Sequence, residues 1–130
     1  MRKRLLAVFA SIYLSIASFA TPIDDLLNRI GGDGTSDRIV TEIVESSKGI
    51  DYFTITSEGK KPKIVGNNYL SVSTGIHWYL KYYSNVLLTW NNLTTDLSQI
   101  DFPLPGTEKT YSTHLKYRYY LNYCTYSYSM

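Results

Sequence analysis

Along this chain the period of the apolar residues changes several times, and each change marks a new element. In TPIDDLLNRIGG, Ile23, Leu26, Leu27 and Ile30 fall at i, i+3, i+4 and i+7, the single stripe of an amphipathic helix. Both ends of that helix are marked. Thr21 can cap it, Pro22 suits its first turn, and Asp24 and Asp25 meet the positive end of its dipole. Gly31-Gly32 stops it. DRIVTEIVES fits a helical stripe and a β-branched strand equally well. In DYFTITSEG the alternation is strict, with Phe53 and Ile55 on one side and Tyr52, Thr54 and Thr56 on the other. Glu58-Gly59-Lys60 turns the chain and KIVGN returns, so the pattern predicts a hairpin.

The period then lengthens again. In YLSVSTGIHWYLKYYS, Val72, Ile76, Tyr79, Leu80 and Tyr83 make a second helical stripe, while Ser73, His77, Lys81 and Ser84 fall elsewhere on the wheel. Gly75 inside this helix costs about 1 kcal/mol relative to alanine, a loss best explained by close approach of the helix to a sheet. VLLTW predicts a strand, Asn91-Asn92 a turn, and DFPLPGTEKT, with two prolines and a glycine, an extended connector. The closing YRYYLNYCTYSYSM predicts a last strand. The order places the chain in the α/β (α+β) class, as a small mixed sheet of about four strands covered by two helices. The expected division is a leader at 1–20, an α/β domain at 21–100, a connector at 101–112 and the start of a further domain at 113–130.

The leader changes the picture of where the chain works. Arg2, Lys3 and Arg4 precede the apolar run Leu5 to Ile16, and Ser18-Phe19-Ala20 presents small residues for cleavage before Thr21. Ser15-Ile16-Ala17 is a second cleavage candidate. A secreted or periplasmic protein is expected, with no stable membrane span after cleavage. Cys124 is the only cysteine, so no internal disulfide forms, and burial as a small apolar side chain is its default role.

Charge and composition then exclude several classes. A formal net charge of +2 without a basic run gives nucleic acid no footprint. The chain's acids sit at helix starts, turns and connectors, outside apolar stretches that would raise their pKa, so all read as solvated and none as catalytic. His77 and His114 lack the spacing of a metal motif, and neither a metal nor a cofactor is expected. Asn92-Leu93-Thr94 matches a glycosylation sequon and reads as a turn.

The closing strand is the exception. Alternation puts Tyr117, Tyr119, Leu121 and Tyr123 on one face and Arg118, Tyr120, Asn122, Cys124, Tyr126 and Tyr128 on the other. The second face is polar and hydrogen-bonding, as a sugar pocket requires, and equally suits an exposed edge strand. YRYYLNYCTYSYS, with GNNYLSVSTGIHWYLKYY and LTWNNL before it, resembles the N-terminal region of the α-N-acetylglucosaminidases, glycoside hydrolase family 89. The resemblance implies a small α/β domain leading into a (β/α)₈ barrel whose first strand is the tyrosine-rich segment. It implies a glycan partner with terminal α-linked N-acetylglucosamine, removed with retention by two glutamates. Asn122, Cys124 and Tyr128 correspond to side chains lining the pocket for that sugar.

The family pattern sets both catalytic glutamates far beyond Met130, so the chain reads as an N-terminal fragment whose barrel is supplied in cis or as a split product. It is expected to be inactive alone, and less soluble than a chain ending near Gly106, because an aromatic strand with unpaired edges invites aggregation. The competing expectation is a self-contained secreted carbohydrate-binding or adhesion module.

Overall fold

The structure, a computed structural model, describes residues 21–46, 49–89, 91–92 and 95–115. Helix α1, Pro22–Gly31, opens with a capping box. The Thr21 N–H donates to Asp24 Oδ2 at 2.7 Å, and the Asp24 N–H donates to Thr21 Oγ1 at 3.2 Å. The Gly32 N–H closes the helix on the Asn28 carbonyl. DRIVTEIVES resolves its ambiguity by division. Ser36–Arg38 is a single 3₁₀ turn, and β1 follows at Val40–Ile43.

The predicted hairpin is β2, Asp51–Glu58, and β3, Lys61–Gly66, with Glu58 opposite Lys61. Gly59 takes the left-handed position of the turn at φ +60°. The second helical stripe forms α2, Tyr69–Tyr82, capped by Asn68, whose Oδ1 accepts the Ser71 N–H at 2.8 Å. The last described strand is β4, Lys109–Thr113.

The sheet runs β1-β3-β2-β4, with β1 parallel to β3 and the other pairs antiparallel. A four-stranded mixed sheet with two helices is therefore present, but its fourth strand is not the predicted one. Val86–Thr89 joins no ladder, and only the isolated Thr89–Asn92 bridge interrupts its irregular course. Lys109–Thr113, read as connector, pairs with Asp51–Ile55 instead. A chain ending near Gly106 would therefore also lack β4 and leave that edge of β2 unpaired.

Helix α2 lies over β2 and β3. Val72, Ile76, Tyr79 and Leu80 meet Ile55 and Ile64 in the core, joined by Ile23 and Leu27 of α1 and by Leu97. Gly75 explains the closeness of this seat: a Cβ there would stand 2.6 Å from Ile64 Cγ2 and 3.1 Å from the Phe53 ring. The stretch 95–103 straps the helices together. The Thr95 and Leu97 N–H groups donate to the Ile30 and Gly31 carbonyls, at 2.8 and 3.1 Å. Arg38 donates to the Leu97 and Ile100 carbonyls and lies 3.9 Å over the Phe102 ring. Tyr79 Oη donates to the Pro103 carbonyl at 2.9 Å, and burial pushes that phenol up to about 12.

The face of the sheet away from the helices is polar. On it Lys63 sits between Glu42 and Glu58, at 2.8 and 2.5 Å, and their hydrogen bonds raise its pKa above the ordinary lysine value. Among the described residues no helix is long and apolar enough to cross a membrane.

Candidate functional site

A groove of about 530 Å³ lies between α2 and the β2–β4 side of the sheet. Its origin is geometric. A helix about 10 Å across covers two strands spaced about 4.8 Å apart, and α2 spends that cover on β2 and β3. The helix-facing side of β4 is left over. Phe53 and Tyr111, directly opposed in the ladder, form the floor with ring centroids 5.2 Å apart. Trp78 forms the wall, 4.9 Å from Tyr111, and Tyr82 packs behind it at 4.8 Å. Leu70, 60% exposed, stands at the rim.

Among the described residues Asp51 is the only acid lining the groove, and it is not the solvated charge that the sequence suggested. It is partly buried, and its Oδ1 accepts from Asn67 Nδ2 at 3.0 Å and Asn68 Nδ2 at 2.8 Å. Asn67 Oδ1 accepts in turn from the Tyr52 N–H at 3.1 Å and Ser71 Oγ at 2.9 Å. The network ties the start of β2 to the start of α2. The signal for it was the Asn67-Asn68 pair just before the helix, of which one member is the cap.

The other polar candidates are dispersed. His77 is exposed on α2 and His114 is exposed after β4. Asp96 is held below the ordinary carboxylate value by the Ser98 hydroxyl and N–H. Among the described residues no three His, Cys, Asp or Glu side chains converge as metal ligands would. Asn92 closes a turn, with Oδ1 accepting from the Thr89 N–H and Oγ1 at 2.8 Å and Nδ2 donating to the Leu87 carbonyl at 3.0 Å. Asn122, Cys124 and Tyr128, and the leader at 1–20, lie outside the described residues.

The described fold therefore offers an apolar groove and a structural carboxylate, without a catalytic pair in reach of either. The sequence model of the alpha-N-acetylglucosaminidase (NAGLU) N-terminal domain matches residues 21–105, which carry α1, β1 to β3 and α2. The chain belongs to this family. The human alpha-N-acetylglucosaminidase is 29% identical to it over 93 residues, which are 69% of this chain and 12% of the human one.

Among solved structures, the family 89 glycoside hydrolase of Clostridium perfringens in complex with PUGNAc is 30% identical, with a TM-score of 0.66. A form of the Clostridium perfringens hydrolase with two glutamates replaced by glutamine, in complex with its substrate GlcNAc-alpha-1,4-galactose, is 29% identical, with a TM-score of 0.64. Both similarities cover 95% of this chain and 15% of the other. The alpha-N-acetylglucosaminidase N-terminal domain thus accounts for both described helices and for β1 to β3, with β4 beyond its matched residues, and the chain spans about an eighth to a seventh of its relatives' length.

Proposed function

We infer that this chain serves a secreted or periplasmic family 89 glycoside hydrolase as its N-terminal domain, and does not itself perform the reaction. The observation that carries this reading is the family match over residues 21–105, in a fold whose groove, among the described residues, is lined by a single acid engaged by two asparagine amides. The partner is a glycan ending in α-linked N-acetylglucosamine, as the substrate named for the Clostridium perfringens hydrolase suggests. Retaining hydrolysis requires two carboxyl groups about 5 Å apart, and these come from residues beyond this chain, in cis or as a separate product. Asn122, Cys124 and Tyr128 face the terminal sugar, where an amide and a phenol hydroxyl satisfy its ring hydroxyls.

Export fits the capping box. Cleavage before Thr21 would create an ammonium against the helix dipole, an unfavourable contact, but Asp24 stands 2.7 Å from that nitrogen and offsets it. Two measurements test the reading. The mass of the exported protein should correspond to a chain beginning at Thr21 or at Ser18. Purified protein given an aryl α-N-acetylglucosaminide should release no phenol above the buffer rate, and release that disappears in Asp51→Asn would refute the non-catalytic role.

A further inference from the structure

The two sides of the domain differ in what they leave to solvent. The outer face of the sheet carries Thr54, hydrogen-bonded to Thr110 Oγ1 at 2.8 Å, and Lys63 between Glu42 and Glu58. Such a face suits water. The groove side does not. Leu70, Thr74, Trp78 and Tyr82 recur every four residues along α2, a row of about 18 Å, and the Tyr111 and Phe53 rings continue it across the sheet. Leu70 and Tyr82 are 60% and 53% exposed. Polar side chains along the groove are engaged within the domain. Thr74 Oγ1 donates to the Leu70 carbonyl at 2.8 Å, Ser71 Oγ donates to Asn67 Oδ1 at 2.9 Å, and Asp51 accepts from two amides. Exposed apolar surface whose polar neighbours are already satisfied marks a contact with another protein surface.

The relatives' length and the place where the chain leaves the fold name the partner. This chain matches 12% of the human protein and 15% of the Clostridium perfringens hydrolase, so the matching segment there is a small part of a much longer chain. Strand β4 is one side of the groove, and its last residue, Thr113, lines it. Leu115, two residues on, is 66% exposed, so the described fold hands the chain on beside the groove. We propose that the catalytic body of the hydrolase docks on this groove, inserting uncharged apolar or aromatic side chains between α2 and β4. Trp78, Tyr82 and Tyr111 are the anchors, because aromatic side chains that become fully desolvated carry most of the energy of such contacts. Leu70 closes the rim against water. The polar outer face of the sheet stays in solvent. The inference rests on the reading that this domain serves such a hydrolase, and adds to it the face and the residues of contact.

The test places a photoreactive side chain at one exposed position on each face. Leu70→p-benzoylphenylalanine and Lys61→p-benzoylphenylalanine are introduced into the intact gene in the organism that produces it. Lys61 shares the outward parity of Lys63 on β3. Irradiated cells are analysed by mass spectrometry of the cross-linked peptides. The Leu70 probe should join peptides of a family 89 catalytic body with a yield about tenfold or more above that of the Lys61 probe. With the probe moved to Tyr82, Leu70→Glu should lower the yield by about tenfold while the thermal midpoint of the purified chain stays unchanged. Cross-links from Leu70 to a second copy of this chain or to an unrelated protein would overturn the proposal, as would their absence. Equal capture of the hydrolase from both faces would overturn the docking face and leave the functional reading standing. Release of N-acetylglucosamine by this chain alone would sink the functional reading instead, so the two failures are told apart.

Discussion

Replacing Gly75 by alanine sets two effects of opposite sign against each other. Helix propensity alone gains about 1 kcal/mol. Against it, the new methyl would stand 2.6 Å from Ile64 Cγ2 and 3.1 and 3.2 Å from two Phe53 carbons. Ile64 is fully buried in β3, pinned between β1 and β2, and cannot move aside as a surface side chain would. Overpacking of this kind costs about 1–3 kcal/mol, so Gly75→Ala should destabilise by about 1 kcal/mol net. For a domain of about 100 residues that lowers the Tm by about 4–8 °C. Urea unfolding followed by tryptophan fluorescence measures it, with the slope required to stay constant. The double substitution decides the cause. With Ile64→Ala in place the obstructing methyl is gone, and Gly75→Ala should turn stabilising, by up to about 1 kcal/mol relative to that background. A higher urea midpoint for Gly75→Ala in the otherwise native chain would refute the reasoning.

Other perturbations follow from the same contacts. Thr21→Ala removes half of the capping box and should cost about 1 kcal/mol in thermal unfolding. Arg38→Lys keeps the charge but loses the forked donation to two carbonyls and the stack on Phe102; a loss of about 2 kcal/mol is expected, with faster amide exchange over 95–103. The Tyr79 phenol ionises near 10 when unfolded and near 12 when folded. The unfolded chain therefore gives up its proton first, and stability present below pH 10 should decline up to about pH 12. Denaturation midpoints for Tyr79→Phe should lack that component of the decline. A chain stopped after Gly106 loses β4 and uncovers Phe53, and should be less stable by about 3 kcal/mol or more, whereas one stopped after Leu115 keeps the described fold; calorimetry of the two separates them.

What the sequence disclosed was what local period can carry. The stripes of α1 and α2, the β2–β3 hairpin and the tight seat of Gly75 depend on residues close together in the chain, and all are present. Val86–Thr89 shows the limit. Val86 and Leu88 pack on the core while Leu87 is 50% exposed, so the alternation of a strand is real, but the segment has no ladder partner. β4 is the converse case. Its KTYST has one aromatic among polar residues, and it becomes a strand through pairing with β2, more than fifty residues earlier. The groove was hidden for a related reason: its aromatic residues come from β2, α2 and β4, and no single element announces them. Asp51 looked solvated because its amide partners lie 16 and 17 residues away. The family resemblance leaned most on the tyrosine-rich close, whereas the family match runs over 21–105, where both helices and β1 to β3 are.

The most direct test of the claim that this domain supports catalysis without performing it is a time course of proton spectra. GlcNAc-alpha-1,4-galactose, the substrate named for the Clostridium perfringens hydrolase, would be incubated with the purified full-length chain. The α-anomeric signal of the intact disaccharide should persist unchanged. Growth of free N-acetylglucosamine signals in proportion to added protein would contradict it.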